Sequence, residues 1–334
     1  MRSLSTLPKA ELHLHIEGTL EPELILELAT RNHITLPYAT LAQLRAQYEF
    51  TDLQSFLNLY YENMAVLVTE DDFADMTRAY LTRAREAGVR HAEIMFDPQA
   101  HLARGVSLAT SVNGIAGALA SSESDFGIST VLIAAFLRDE SQDSALSVLA
   151  DLLEMKAPII GIGLDSAEVG NPPSKFVKLF ENARAAGLRL VAHAGEEGPP
   201  SYVWDTLDLL GAERIDHGIR SVEDSLLVKR LAREQVPLTV CPLSNVRLRA
   251  VDSLAAHPLP QMLASGLNVC LNSDDPAYFG GYAEQNFEVV ATEFAFDTDT
   301  LERLAANSIT SSFATVERKA QLLGELAAWR EQAS

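Results

Sequence analysis

Residues 11–15 read Glu-Leu-His-Leu-His (ELHLH). Alternation with period two is the pattern of a strand, and it puts residues 11, 13 and 15 on one face. Seven more short β-rich runs follow: His91–Phe96, Ser129–Ala135, Ile159–Asp165, Arg189–His193, Arg214–His217, Pro237–Cys241 and Asn268–Asn272. Helical patterns fill the intervals at Glu21–Arg31, Asp71–Ala87, Ser107–Ala120, Ser141–Met155, Ser174–Ala186, Ser201–Leu210, Val222–Glu234 and Pro258–Ser265. Several begin near Ser or Asp and stop at Gly88, Gly187 or Gly266, which are cap signals. Strands that alternate with helices pair in parallel. Eight such units predict an α/β fold, a (β/α)8 TIM barrel. Arg31–Asn63 reads as additional helix after the first strand, and Asp299–Ala333 as terminal helices. No linker, repeat or low-complexity segment interrupts the pattern, so residues 1–334 are read as a single domain.

Composition narrows the function. The chain has 334 residues, 47% hydrophobic and 22% charged, which is ordinary for a globular protein with ample core. Its 26 basic and 46 acidic residues give a net charge of −20. Such a surface repels phosphate backbones and anionic headgroups, so nucleic acid and membrane are not expected partners. Cys241 and Cys270 lie in apolar runs and read as buried free thiols. No leader-like or membrane-length apolar run is present, which makes the cytoplasm the expected location. The oligomeric state is not legible.

The chemistry sits at strand ends. His13 and His15 project together from the end of the first strand, where they can share a metal ion or serve as two hydrogen-bonded core histidines. His193 closes the strand LRLVAH and is followed by Ala194-Gly195-Glu196, so Glu196 can turn back over the barrel mouth. His217 ends RIDH, and Asp274-Asp275 follow LNVCLNS. Adjacent acids before Pro276 could cap a helix, but a barrel places its catalytic loops at this end. Together these imply one divalent ion held by His13, His15, His193 and Asp274, one per subunit. Imidazoles and a carboxylate suit Zn²⁺, although other divalent ions fit the same donors. Zn²⁺ would bring the pKa of a bound water to roughly 7. His217 is left to orient the nucleophile, and Glu196 to donate a proton. Asp216 reads either as a partner of these groups or as a helix-facing acid. His33, His91, His101 and His257 read as structural or exposed. Phe56, Tyr60, Tyr61, Met64 and Met76 read as helix-face packing or pocket lid.

The motifs LPKAELHLHIEGTLEPELILELA, AHAGEE, RIDHGIR, VCPLSN and NSDDPAYF resemble the adenosine/adenine deaminase family of the amidohydrolase superfamily. The resemblance spans Leu7 to about Phe279. It implies that His13, His15, His193 and Asp274 bind zinc and that Glu196 protonates purine N1. It further implies that His217 assists the hydroxide and Asp275 hydrogen-bonds N7. Hydroxide attack on C6 and loss of ammonia follow. The other zinc deaminase class carries H-x-E and P-C-x-x-C, whereas Cys241 here precedes Pro-Leu-Ser.

The chain departs from adenosine deaminases at two points. Glu17 stands where they have the Asp that meets the ribose 5′-hydroxyl. Asp165-Ser166-Ala167-Glu168 replaces their Asp-Leu-Ala-Gly. Glu17 and Glu168 are therefore expected to bind substrate, accepting from N9–H of a free base or filling ribose space. Adenine becomes the expected substrate and purine salvage the context. Adenosine, N6-substituted adenines and 6-aminodeoxyfutalosine are alternatives within the family. A non-deaminating amidohydrolase and an inactive purine-binding protein are the alternatives outside it.

Overall fold

A computed structural model describes residues 3–331. Its strands are β1 (Lys9–His15), β2 (Val89–Phe96), β3 (Ser129–Leu137), β4 (Ile159–Asp165), β5 (Arg189–Ala194), β6 (Arg214–His217), β7 (Pro237–Val240) and β8 (Asn268–Leu271). They form one sheet in chain order, every neighbouring pair parallel. The last strand closes onto the first through its C-terminal extension. Asp274 N donates to His13 O at 3.1 Å and His15 N donates to Asp274 O at 3.0 Å. Leu12 N donates to the Asn272 side chain at 2.7 Å. The architecture is the expected (β/α)8 TIM barrel, with strand limits moved by one or two residues.

Helix starts follow local chemistry. Thr69, Ser107, Ser141 and Asp224 each accept a first-turn backbone N–H on their side chains. Two expected helices are composite. Ser174–Ala186 becomes a tight 3₁₀ turn (Pro173–Phe176) before Val177–Ala185, because Pro172 and Pro173 fix the entry. Ser201–Leu210 becomes Pro200–Asp205 followed by a wider π turn to Leu210. The terminal helices are Thr298–Ser311 and Val316–Glu331; residues 332 and 333 of the expected stretch lie outside the described residues. Helices at Ser122–Phe126 and Ala283–Glu293 were not expected, and three more stand after strand ends: Pro98–Ala103, Pro242–Arg247 and Pro276–Phe279. Each of these three has proline at its first position directly after a strand-end residue, and is too short to show a helical period.

Outward strand residues such as Leu12, Leu14, Ile94 and Ile215 pack into two large apolar clusters. The barrel interior is different. A small group of Met95, Ile133, Ala135 and Val191 adjoins buried charge. Arg214 is fully buried and bonds Glu93 at 2.6 Å and Leu12 O at 2.8 Å. Charges removed from water persist only when paired in this way. Within the insertion, the helix Leu53–Asn63 lies across the C-terminal mouth, where Leu53, Phe56, Leu57, Tyr60 and Tyr61 form a wall. No described helix is long and apolar enough to cross a membrane.

Candidate active site

Three strand ends and the closing seam bring one cluster together. His13 Nε2 is 3.2 Å from Asp274 Oδ1, and His15 Nε2 is 3.6 Å from the same oxygen. The Nε2 atoms of His15 and His193 are 3.3 Å apart. The seam explains part of this, because its backbone bonds fix Asp274 beside both β1 histidines although 259 residues separate Asp274 from His15 (274 − 15). His217 and Asp274 have φ of 63° and 65°, the left-handed region that costs a non-glycine residue about 1–3 kcal/mol. The strain turns both side chains into the mouth.

These residues could hold a metal ion: ligand atoms of His13, His193, His217 and Asp274 all lie within 4.8 Å of one another, and His15 forms a second such group with Asp274 and Asp275. Tetrahedral ligands about 2.1 Å from zinc lie about 3.4 Å from one another, and the separations above bracket that value. His13 Nε2 is buried without a hydrogen-bond partner. The far nitrogens of His13 and His15 lie near oxygen atoms, which is the usual support for ligating imidazoles, whereas His193 Nδ1 has no hydrogen-bond partner. His13 Nδ1 lies 3.1 Å from Thr239 Oγ1, and that hydroxyl donates to Asp216 at 2.7 Å. His15 Nδ1 is 3.4 Å from Asp165 and His193 Nδ1 is 3.8 Å from Asp216. Asp216 is thus the buried partner of the cluster rather than a helix-facing acid. Burial and the three neighbouring imidazoles push the His193 pKa well down, leaving the neutral form that binds metal. Burial opposes ionisation of Asp274, yet the adjoining His13 and His15 outweigh it and hold its pKa well below the usual carboxylate range.

The remaining acids are protonated or tethered. Glu196 reaches His217 Nε2 at 3.5 Å, and burial followed by the negative charge of Asp274 raises its pKa well above the carboxylate range. Its loop is held by Glu168, whose carboxylate accepts four backbone N–H groups, from Gly195, Glu196, Glu197 and Gly198, at 2.7–3.0 Å. Asp275 is also raised, by burial and then by Asp274. Gly18 makes room for it, since a Cβ there would lie 1.9 Å from Asp275 Oδ1. Burial lowers His217 to about 3 and keeps it neutral. A small cavity lies on this cluster. His15, His193, Glu196, His217, Asp274 and Asp275 all face it.

Known proteins share this arrangement of sequence and fold. The family model described as Adenosine deaminase matches residues 8–329. The chain belongs to the adenosine deaminase family. It is 61% identical to an adenine deaminase of Streptomyces coelicolor over 98% of this chain and 97% of that one. A crystal structure of adenine deaminase from Arthrobacter aurescens is 69% identical, covers 97% of this chain and 99% of its own, and superposes with a TM-score of 0.96. A crystal structure of an amidohydrolase from Burkholderia ambifaria with bound zinc is 29% identical, covers 98% and 92% respectively, and gives 0.90.

Glu17 and Glu168, expected to bind substrate in this adenosine deaminase family member, bond to protein groups in this structure. Glu17 is fully buried, and its Oε1 accepts from His101 Nε2 at 2.6 Å and Asp97 N at 3.1 Å. Glu168 is engaged by the four loop amides. Neither lines the cavity. Each carboxylate supports a loop, with Glu17 Oε2 left without a hydrogen-bond partner, and His101 is the buried partner of Glu17. Sequence reading also passed over Asp97 and Asp165, which do line the cavity beside Tyr60 and Tyr61. Their position at the ends of β2 and β4 was the available signal.

Proposed function

We propose that this chain deaminates adenine hydrolytically, giving hypoxanthine and ammonia, with one zinc ion per subunit and a role in purine salvage. The observation that carries the proposal is the convergence of His13, His15, His193 and Asp274 beside Glu196, whose pKa burial raises well above the carboxylate range, at a small cavity. Zinc held by these four residues would supply Lewis acidity that makes water a competent nucleophile near neutral pH. Glu196 donates its proton to N1, which drains electron density from C6 as water adds there. Asp275, whose pKa is raised by burial and by Asp274, donates to N7, which accepts when the base carries its ring proton on N9. His217 presents Nε2 to the face from which C6 is attacked. One proton of the added water passes to the amine and the other restores Glu196; the C6–N bond then breaks, C6 becomes the carbonyl and nitrogen leaves as ammonia.

The free base is favoured over the nucleoside by the small cavity under the Leu53–Asn63 helix and by the adenine deaminases that the chain resembles at 61% and 69% identity. We read the chain as one cytoplasmic domain that takes a small-molecule purine. The test is a panel of adenine, adenosine, N6-substituted adenines and 6-aminodeoxyfutalosine with zinc-replete enzyme. The proposal expects kcat/KM to be highest for adenine; a nucleoside preference would contradict it.

A further inference from the structure

We infer that His257 and Asn245 are positioning residues that fix the tautomer of His217, placing its proton on Nε2. The inference rests on the proposed role of His217 and concerns how that role is secured. The chain of bonds starts at a group that can only donate. Leu259 N–H donates to His257 Nδ1 at 3.0 Å. His257 Nδ1 is therefore an acceptor, and in the neutral ring Nε2 carries the hydrogen. His257 is buried, and burial lowers its pKa to about 4. His257 Nε2 faces Asn245 Oδ1 at 3.2 Å. That contact orients the amide, because the flipped amide would set donor against donor. Asn245 Nδ2 then donates to His217 Nδ1 at 3.2 Å, and also points at Glu196 Oε1 from 3.4 Å. With Nδ1 accepting, His217 must carry its proton on Nε2.

Two consequences follow for the site. A protonated Nε2 has no lone pair, so His217 stays outside the ligand set although its ring lies among the potential ligands. The same N–H lies 3.6 Å from Asp274 Oδ2 and 3.5 Å from Glu196 Oε2, which aims a donor at the region where water must be held. The VCPLSN motif thereby acquires a task through Asn245. His257, on the loop before β8, acts from behind it without touching the reacting atoms.

The test is long-range ¹H–¹⁵N correlation of histidine-labelled, zinc-loaded protein, with His217 assigned by its loss in His217→Ala. The native ring is expected to show a protonated Nε2 and a bare Nδ1. Asn245→Asp replaces the amide donor by an acceptor. It should move the proton to Nδ1 and lower kcat about 10²- to 10⁴-fold, with KM within about threefold of wild type. His257→Leu should leave a tautomer mixture. His257→Gln, which can accept from Leu259 and donate to Asn245, should restore the Nε2 form and most of kcat. A native His217 protonated on Nδ1, or an unchanged tautomer in Asn245→Asp, would overturn the inference. Absence of adenine turnover with the Nε2 tautomer intact would instead refute the proposed function alone.

Discussion

At the residue scale, burial decides what each ionisable group does. Glu196 and Asp275 are pushed towards protonation by the same enclosure that drives His193 to neutrality. Glu196→Gln keeps the shape and removes the transferable proton. The variant should retain its metal content and lose about 10²- to 10⁴-fold in kcat, measured by metal analysis beside steady-state kinetics. The sign for pH follows: activity needs protonated Glu196, so it falls as pH rises through the raised pKa. Lys9 gives a separate test at the opposite end of the barrel. Its Nζ is buried, donates to Leu4 O and Ala87 O, and is lowered from 10.5 to about 7 by burial. Between about 7 and 10.5 the unfolded chain binds more protons than the folded one. This lysine therefore destabilises the fold at low pH, and the penalty disappears as pH rises through that window. Denaturant midpoints at pH 7 and pH 9 should show a smaller rise for Lys9→Met than for wild type. The sequence named the histidines and acids of the cluster because each ends an apolar run. It did not reveal that Glu17 and Glu168 bond inward to loops, since a carboxylate looks alike whether it meets a ligand or backbone N–H groups.

At the element scale, loops place the chemistry and strands only start it. The His193 strand is followed by a turn locked to Glu168, and the β8 extension turns at a left-handed Asp274. The 3₁₀ turn Glu17–Thr19 after β1 passes so close to Asp275 that only glycine fits at position 18. Gly18→Ala should displace the Asp275 carboxyl and lower kcat/KM for adenine about 10²-fold while metal content stays at the wild-type level. Intact activity would show that Asp275 does not need its present position. Eight strands and most of the long helices were legible because their periods repeat over many residues, although Ala283–Glu293 was not read. The Pro98, Pro242 and Pro276 helices were not, because four to six residues hold barely one turn. The Leu53–Asn63 helix was read as packing or lid; its Phe56 and Tyr60 do both, being buried and facing the cavity.

At the scale of the whole molecule, barrel closure makes the centre. Asp274 meets His13 and His15 because the segment after β8 pairs with β1, a contact between the two ends of the sheet. Sequence predicted eight units and hence a closed ring, but not that the seam itself would carry a ligand. The interior Arg214–Glu93 pair was equally hidden, because partners 121 residues apart leave no local pattern. The account stands on one ion at the meeting point of β1, β5 and that seam. Anomalous diffraction at the zinc edge from crystals of the zinc-loaded protein tests this directly. The account predicts a single strong peak about 2.0–2.2 Å from a nitrogen of His13, His15 and His193 and from an oxygen of Asp274, with His217 beyond bonding distance. No peak there, or a peak ligated by His217 in place of His15, would contradict it.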